Sequence, residues 1–61
     1  MKRLYEADAY LFDHWERIEF ESEHKAGSED NEFDAKYHVL RKYGKAAYKK
    51  TAIENVRLIK E

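Results

Sequence analysis

The stretch Trp15-Glu16-Arg17-Ile18-Glu19-Phe20-Glu21-Ser22-Glu23 decides the fold. Its residues alternate: Ile18, Phe20 and Ser22 fall on one face, and Arg17, Glu19, Glu21 and Glu23 on the other. A period of two with a single apolar face marks a half-buried strand. A helix would turn Phe20 away from Ile18 and into a field of glutamates. Upstream, residues 3–11 alternate less cleanly, with Tyr5, Ala7, Ala9 and Leu11 on one face and Glu6 and Asp8 on the other. Phe12-Asp13-His14 supplies the turn, because an aspartate can bond its own backbone there. The two segments are expected to pair as an antiparallel hairpin. A helical reading competes: Leu4, Ala7, Leu11, Trp15 and Ile18 also follow spacings of three and four, and Ala7 and Ala9 favour a helix.

Downstream, the only two glycines, Gly27 and Gly44, bracket a predicted helix, and there is no proline. Ser28, Asp30 and Asn31 are competent N-caps. Phe33, Tyr37, Leu40 and Tyr43 form the expected apolar stripe, widened by Ala35 and Val39, and Gly44 stands where a C-cap glycine belongs. Acids at the start (Glu29, Asp30, Glu32, Asp34) and bases at the end (Arg41, Lys42, Lys45) match the helix macrodipole. Ala46 to Tyr48 either extends this helix or forms a loop. Ile53 to Ile59 reads as a last strand, with Val56 and Leu58 inward and Arg57 outward. Thr51-Ala52-Ile53-Glu54 also fits a capping box, which keeps a terminal helix open as the alternative. The expectation is a single α+β domain over residues 1–61, a two-layer ββαβ arrangement in which a hairpin and a C-terminal strand pack on one helix. The alternative is a three-helix, all-α chain.

The Asp34-Ala35 pair, the Tyr43-Gly44 helix end and the strand Val56-Arg57-Leu58-Ile59 together resemble small phage and prokaryotic proteins, among them a phage inhibitor of host RNA polymerase. The resemblance is one of pattern, covers about half the chain and specifies no functional residue.

Composition bounds the function. The chain has 61 residues, 43% hydrophobic and 41% charged, with a net charge of -1. One domain is the ceiling at this length. No apolar run approaches the ~20 residues of a membrane-spanning helix. No N-terminal stretch has the apolar centre of a signal peptide. Absent cysteine removes disulfides and thiolate zinc sites. These features point to a cytoplasmic protein without membrane contact. Leucine, isoleucine, valine and phenylalanine make up only 12 residues, so the nine aromatics are expected to build most of the core.

Charge is segregated along the chain. Residues 1–34 carry eleven acids against Lys2, Arg3, Arg17 and Lys25, a balance of -7. Residues 35–61 carry eight bases against Glu54 and Glu61, a balance of +6. The plainest expectation is that the two halves fold against and neutralise each other. The leading functional expectation is a non-enzymatic module, an inhibitor or adaptor, that binds a larger protein through Trp15, Arg17, Glu19 and Glu21. Tryptophan and arginine dominate interface hot spots, and an acidic row speeds encounter with a basic groove. The alternative is nucleic-acid binding through Arg41, Lys42, Lys45, Tyr48, Lys49 and Lys50, with lysines on phosphates and Tyr48 stacked on a base. A third reading is a structural homodimer that pairs the acidic and basic halves. His14, His24 and His38 lack converging spacing, so neither a metal nor a cofactor is expected. No nucleophile motif or phosphate-cradling glycine loop suggests an enzyme.

Overall fold

The computed structural model describes residues 1–61. The elements run β1 (Arg3–Leu11), β2 (His14–Ser22), α1 (Glu29–Tyr43), α2 (Lys45–Lys50) and β3 (Ile53–Lys60). The α+β reading holds and the three-helix alternative does not. The strands form one antiparallel sheet in the order β2-β1-β3, with β1 at its centre.

The hairpin register places Tyr5 opposite Phe20 and Ala7 opposite Ile18. Both alternating faces therefore add up on one side of the sheet. The turn is one residue shorter than predicted: Leu11 pairs with His14, and only Phe12 and Asp13 connect the strands. Phe12 takes a φ of 63°, at a hairpin position where glycine is the usual occupant.

Ser28 is the N-cap of α1; its hydroxyl accepts from the Asn31 backbone N–H at 3.2 Å and donates to the Lys25 carbonyl at 2.7 Å. Glu32 and Lys36 pair at 3.3 Å along the helix. The chain then turns at Gly44, whose φ of 96° and ψ of 176° fall in a region essentially reserved for glycine. The Gly44 N–H closes α1 on the Leu40 carbonyl, and its own carbonyl opens α2 by accepting from Tyr48. Residues 45–50 are thus neither an extension of α1 nor a loop. They form a second short helix, which corrects the expectation of a single one.

The core is Tyr5, Ala7, Ala9 and Leu11 from β1, Ile18 and Phe20 from β2, Ala35 and Val39 from α1, and Ala47 from α2. Only two of the nine aromatics, Tyr5 and Phe20, are buried, stacked with centroids 5.7 Å apart. The expected aromatic core is therefore wrong. Four alanines in the interface bring the helices close to the sheet and leave no room for more rings. The same close approach explains why β1 keeps its strand despite two helix-favouring alanines, since packing overrides local propensity. Burying a side chain such as Leu11 or Val39 contributes about 1.5–3 kcal/mol.

The stripe predicted for α1 is rotated. The buried row is Asn31, Ala35 and Val39, continued by half-buried Tyr43. Phe33 and Tyr37 lie outside it, 56% and 49% exposed. Asn31 is not a cap. Its buried amide donates from Nδ2 to the His24 carbonyl at 2.9 Å, an acceptor shared with the Tyr5 hydroxyl, also at 2.9 Å. One carbonyl thus fastens the loop after β2 to both the sheet and the helix.

Strand β3 pairs with β1 through Tyr5–Leu58, Glu6–Arg57, Asp8–Glu54 and Ala9–Ile53. The register shifts twice, which leaves Asn55 and Ile59 as extra residues; Asn55 takes a φ of 57°, which asparagine tolerates. Leu58 faces the same side as Tyr5, as predicted, yet remains 46% exposed. The reason is placement: α1 packs mainly over β2 and barely reaches β3.

Candidate functional site

The helices and the core occupy one face of the sheet, and no element covers the other. On that outer face, β2 presents Trp15, Arg17, Glu19 and Glu21 in a row, each exposed. Their β1 partners are Tyr10, Asp8, Glu6 and Leu4. All four residues singled out for protein binding therefore share one open surface.

Trp15 is 48% exposed and rests edge-on against Tyr10, with centroids 5.4 Å apart. Phe12, at the hairpin turn, meets Tyr43 edge-on at 6.5 Å. The centre of the face is a short charge ladder. Arg57 Nε donates to Glu6 Oε2 at 2.8 Å, and Arg17 Nη1 lies 3.8 Å from Glu6 Oε1. Asn55 Nδ2 donates to Asp8 Oδ2 at 2.9 Å. Glu19 and Glu21 have no cationic partner. The face is thus an aromatic pair at one end, a neutralised middle and an unpaired acidic row.

The segregated charges are not spent inside the fold. Apart from the local Glu32–Lys36 pair, Arg57–Glu6 is the single ion pair between the two halves. The expected mutual neutralisation is therefore largely absent. The basic residues collect around the junction of the helices, where Arg41, Lys42, Lys45, Lys49 and Lys50 are exposed without carboxylate partners. Tyr48 is half-buried rather than open for stacking. Lys42 lies over the Tyr43 ring at 5.6 Å, and Arg41 over Tyr37 at 5.9 Å.

A second aromatic surface emerges only from the structure. Phe33, Tyr37 and Arg41 follow one another at four-residue steps on the solvent side of α1. The spacing is visible in the sequence, but it fits a core stripe equally well. Between this row and the end of β2 lies a groove of about 490 Å³, lined by Ser22, Glu23, His24, Asp34 and His38 among others. Ser22 Oγ donates to Asp34 Oδ2 at 2.6 Å and accepts from the His24 N–H at 3.0 Å, which commits this serine to structure. Burial, then the charge of Lys42, lowers the His38 pKa.

His14 sits at the hairpin end, with Nε2 2.6 Å from Glu16 and Nδ1 3.3 Å from Asp13. Hydrogen bonding, chiefly to Glu16 and then to Asp13, raises its pKa. No three His, Cys, Asp or Glu side chains converge in a metal-binding arrangement. No helix is long and apolar enough to cross a membrane. Comparison with known proteins finds no matching family model, no matching curated protein and no matching solved structure.

Proposed function

We propose that the chain is a small non-enzymatic module that docks on a larger protein through the outer face of its sheet. The observation behind this reading is the exposed Trp15 at one end of an uncovered face whose other end carries two unpaired glutamates, Glu19 and Glu21. A half-desolvated tryptophan is the usual energetic anchor of an interface. Unpaired acids on the same face select a basic partner surface and speed its capture. An inhibitor or adaptor of phage type, acting in a cytoplasm, is the form this function takes.

The test is capture from the source-cell extract, followed by reconstitution with the purified captured protein. Trp15→Ala and Glu19→Lys should each weaken that complex by about thirtyfold, as expected for a hot spot of roughly 2 kcal/mol, and leave the circular dichroism unchanged. Phe33→Ala, on the opposite layer, should leave binding intact. A complex lost with Phe33→Ala and kept with Trp15→Ala would move the interface to α1 and overturn the reading.

Nucleic-acid binding is the second reading, favoured by one observation: five bases at the helix junction carry no carboxylate partner. The half-buried Tyr48 is a poorer stacking platform than the open ring expected there.

A further inference from the structure

We propose that β3 is a self-association seam: two copies pair their β3 strands antiparallel across a two-fold axis at Arg57, making one six-stranded sheet. Three observations lead there. First, β3 is an edge strand whose C-terminal half the helices leave uncovered, with Leu58 and Ile59 exposed at 46% and 43% while Ile53 and Val56 pack against the core. An uncovered apolar edge is a template for another strand. Second, the strand is self-complementary in one register. A two-fold axis requires that if residue i meets j, then j meets i. Centred on Arg57, that rule sets Val56 against Leu58 of the second copy and Glu54 against Lys60, each twice. Both pairings keep side chains on matching faces: Val56 packs toward the core and Leu58 pairs with Tyr5, whereas Glu54 and Lys60 pair with outer-face Asp8 and Leu4. Neither Glu54 nor Lys60 has an ion-pair partner within its own chain. Third, the two extra residues of β3, Asn55 and Ile59, fall symmetrically about Arg57. Each irregularity meets the other copy's irregularity, so the seam keeps its register where an unrelated strand would not.

Arg57 meets its own copy at the axis, a pairing that like charges oppose. Each guanidinium is already engaged by Glu6 at 2.8 Å, which offsets the repulsion. The occupant is therefore a second copy of this chain rather than a foreign strand. Trp15 stays free at the two outer ends of the enlarged sheet, so this inference stands apart from the docking face.

Sedimentation equilibrium tests it with charge swaps. The natural chain should dimerise within concentrations up to about 1 mM, the weak end of specific association. Glu54→Lys and Lys60→Glu should each raise the dissociation constant by about tenfold, because symmetry breaks two pairs at once. An equimolar mixture of these two variants should regain the original affinity, since each restores the opposite charge across the seam. Leu58→Lys should abolish association while the circular dichroism of the exposed-site variant stays native. A monomer at every concentration would overturn the proposal. So would association that ignores all three substitutions, which would place the contact on another surface.

Discussion

Ser22 and Asp34 are joined by a 2.6 Å hydrogen bond that ties the end of β2 to the second turn of α1. Ser22 is buried, and its oxygen also receives the His24 N–H. Replacing it with alanine strips a partner from a carboxylate and leaves a backbone donor unsatisfied. Ser22→Ala should therefore cost about 1.5–3 kcal/mol, read as a lower urea midpoint at unchanged slope. A loss below ~0.5 kcal/mol would mean that water replaces the hydroxyl without penalty.

The alanine-lined interface gives a prediction of opposite kind. Ala35 is fully buried where α1 crosses the sheet. Ala35→Leu adds volume where the helix already sits close, and should destabilise by about 1–3 kcal/mol. The same change at the exposed Phe33, Phe33→Leu, should fall within ~0.5 kcal/mol. Thermal denaturation of both variants checks the rotation of the buried face. Equal effects would return the stripe to Phe33 and Tyr37.

Asn55 holds a left-handed backbone at the bulge and bonds Asp8. Asn55→Ala meets both costs, a strained φ and a lost hydrogen bond, together about 1.5–3 kcal/mol. Asn55→Gly keeps the backbone relaxed and should lose about 1 kcal/mol. The ordering of the two melting temperatures decides it, and alanine above glycine would refute the bulge geometry.

The two shifted histidines pull stability in opposite directions. His14 has a raised pKa, so the folded state holds its proton more tightly than the unfolded chain does. That contribution is complete below the ordinary imidazole value of about 6.5 and disappears as pH rises through the raised folded value. The cause, hydrogen bonding first to Glu16 and then to Asp13, means that Glu16→Gln should bring the titration back down. His38 is lowered by burial first and Lys42 second. Its neutral form favours the fold, and that contribution is lost as pH falls through the lowered folded value. Imidazole NMR titrations of the natural chain should show His14 above His38. Coincident curves would remove both causes.

Amide NMR with short single-stranded DNA at low salt probes the basic end. With Tyr48 half-buried, resonances of residues 41–50 should stay in place. Shifts reversed by salt, with the steep dependence that phosphate contacts impose, would transfer the function from the sheet to the helix junction.

Local pattern favoured the hairpin and its facing, against a competing helix, and placed α1 between three candidate N-caps and Gly44. Alternation from Ile18 to Ser22 permits one strand face, while the Ser28 hydroxyl accepts from the Asn31 N–H and the Gly44 N–H donates to the Leu40 carbonyl, both within one turn of the helix. The outer row of Trp15, Arg17, Glu19 and Glu21 was legible for the same reason, because facing follows from period two. Other features depend on contacts between distant segments. Whether Phe33 or Ala35 faces the sheet depends on how closely α1 approaches, and a helix of this composition offers an apolar residue on either side. Apart from Tyr5 and Phe20, the aromatics are not fully buried, because Ala7, Ala9, Ala35 and Ala47 fill the remaining core positions. The separate α2 required the Gly44 dihedrals, which no neighbour-by-neighbour pattern encodes. Above all, the exposure of Leu58 arises only once α1 settles over β2, and the partnerless state of Glu19, Glu21, Glu54 and Lys60 follows from which outer-face neighbours the strand register gives them.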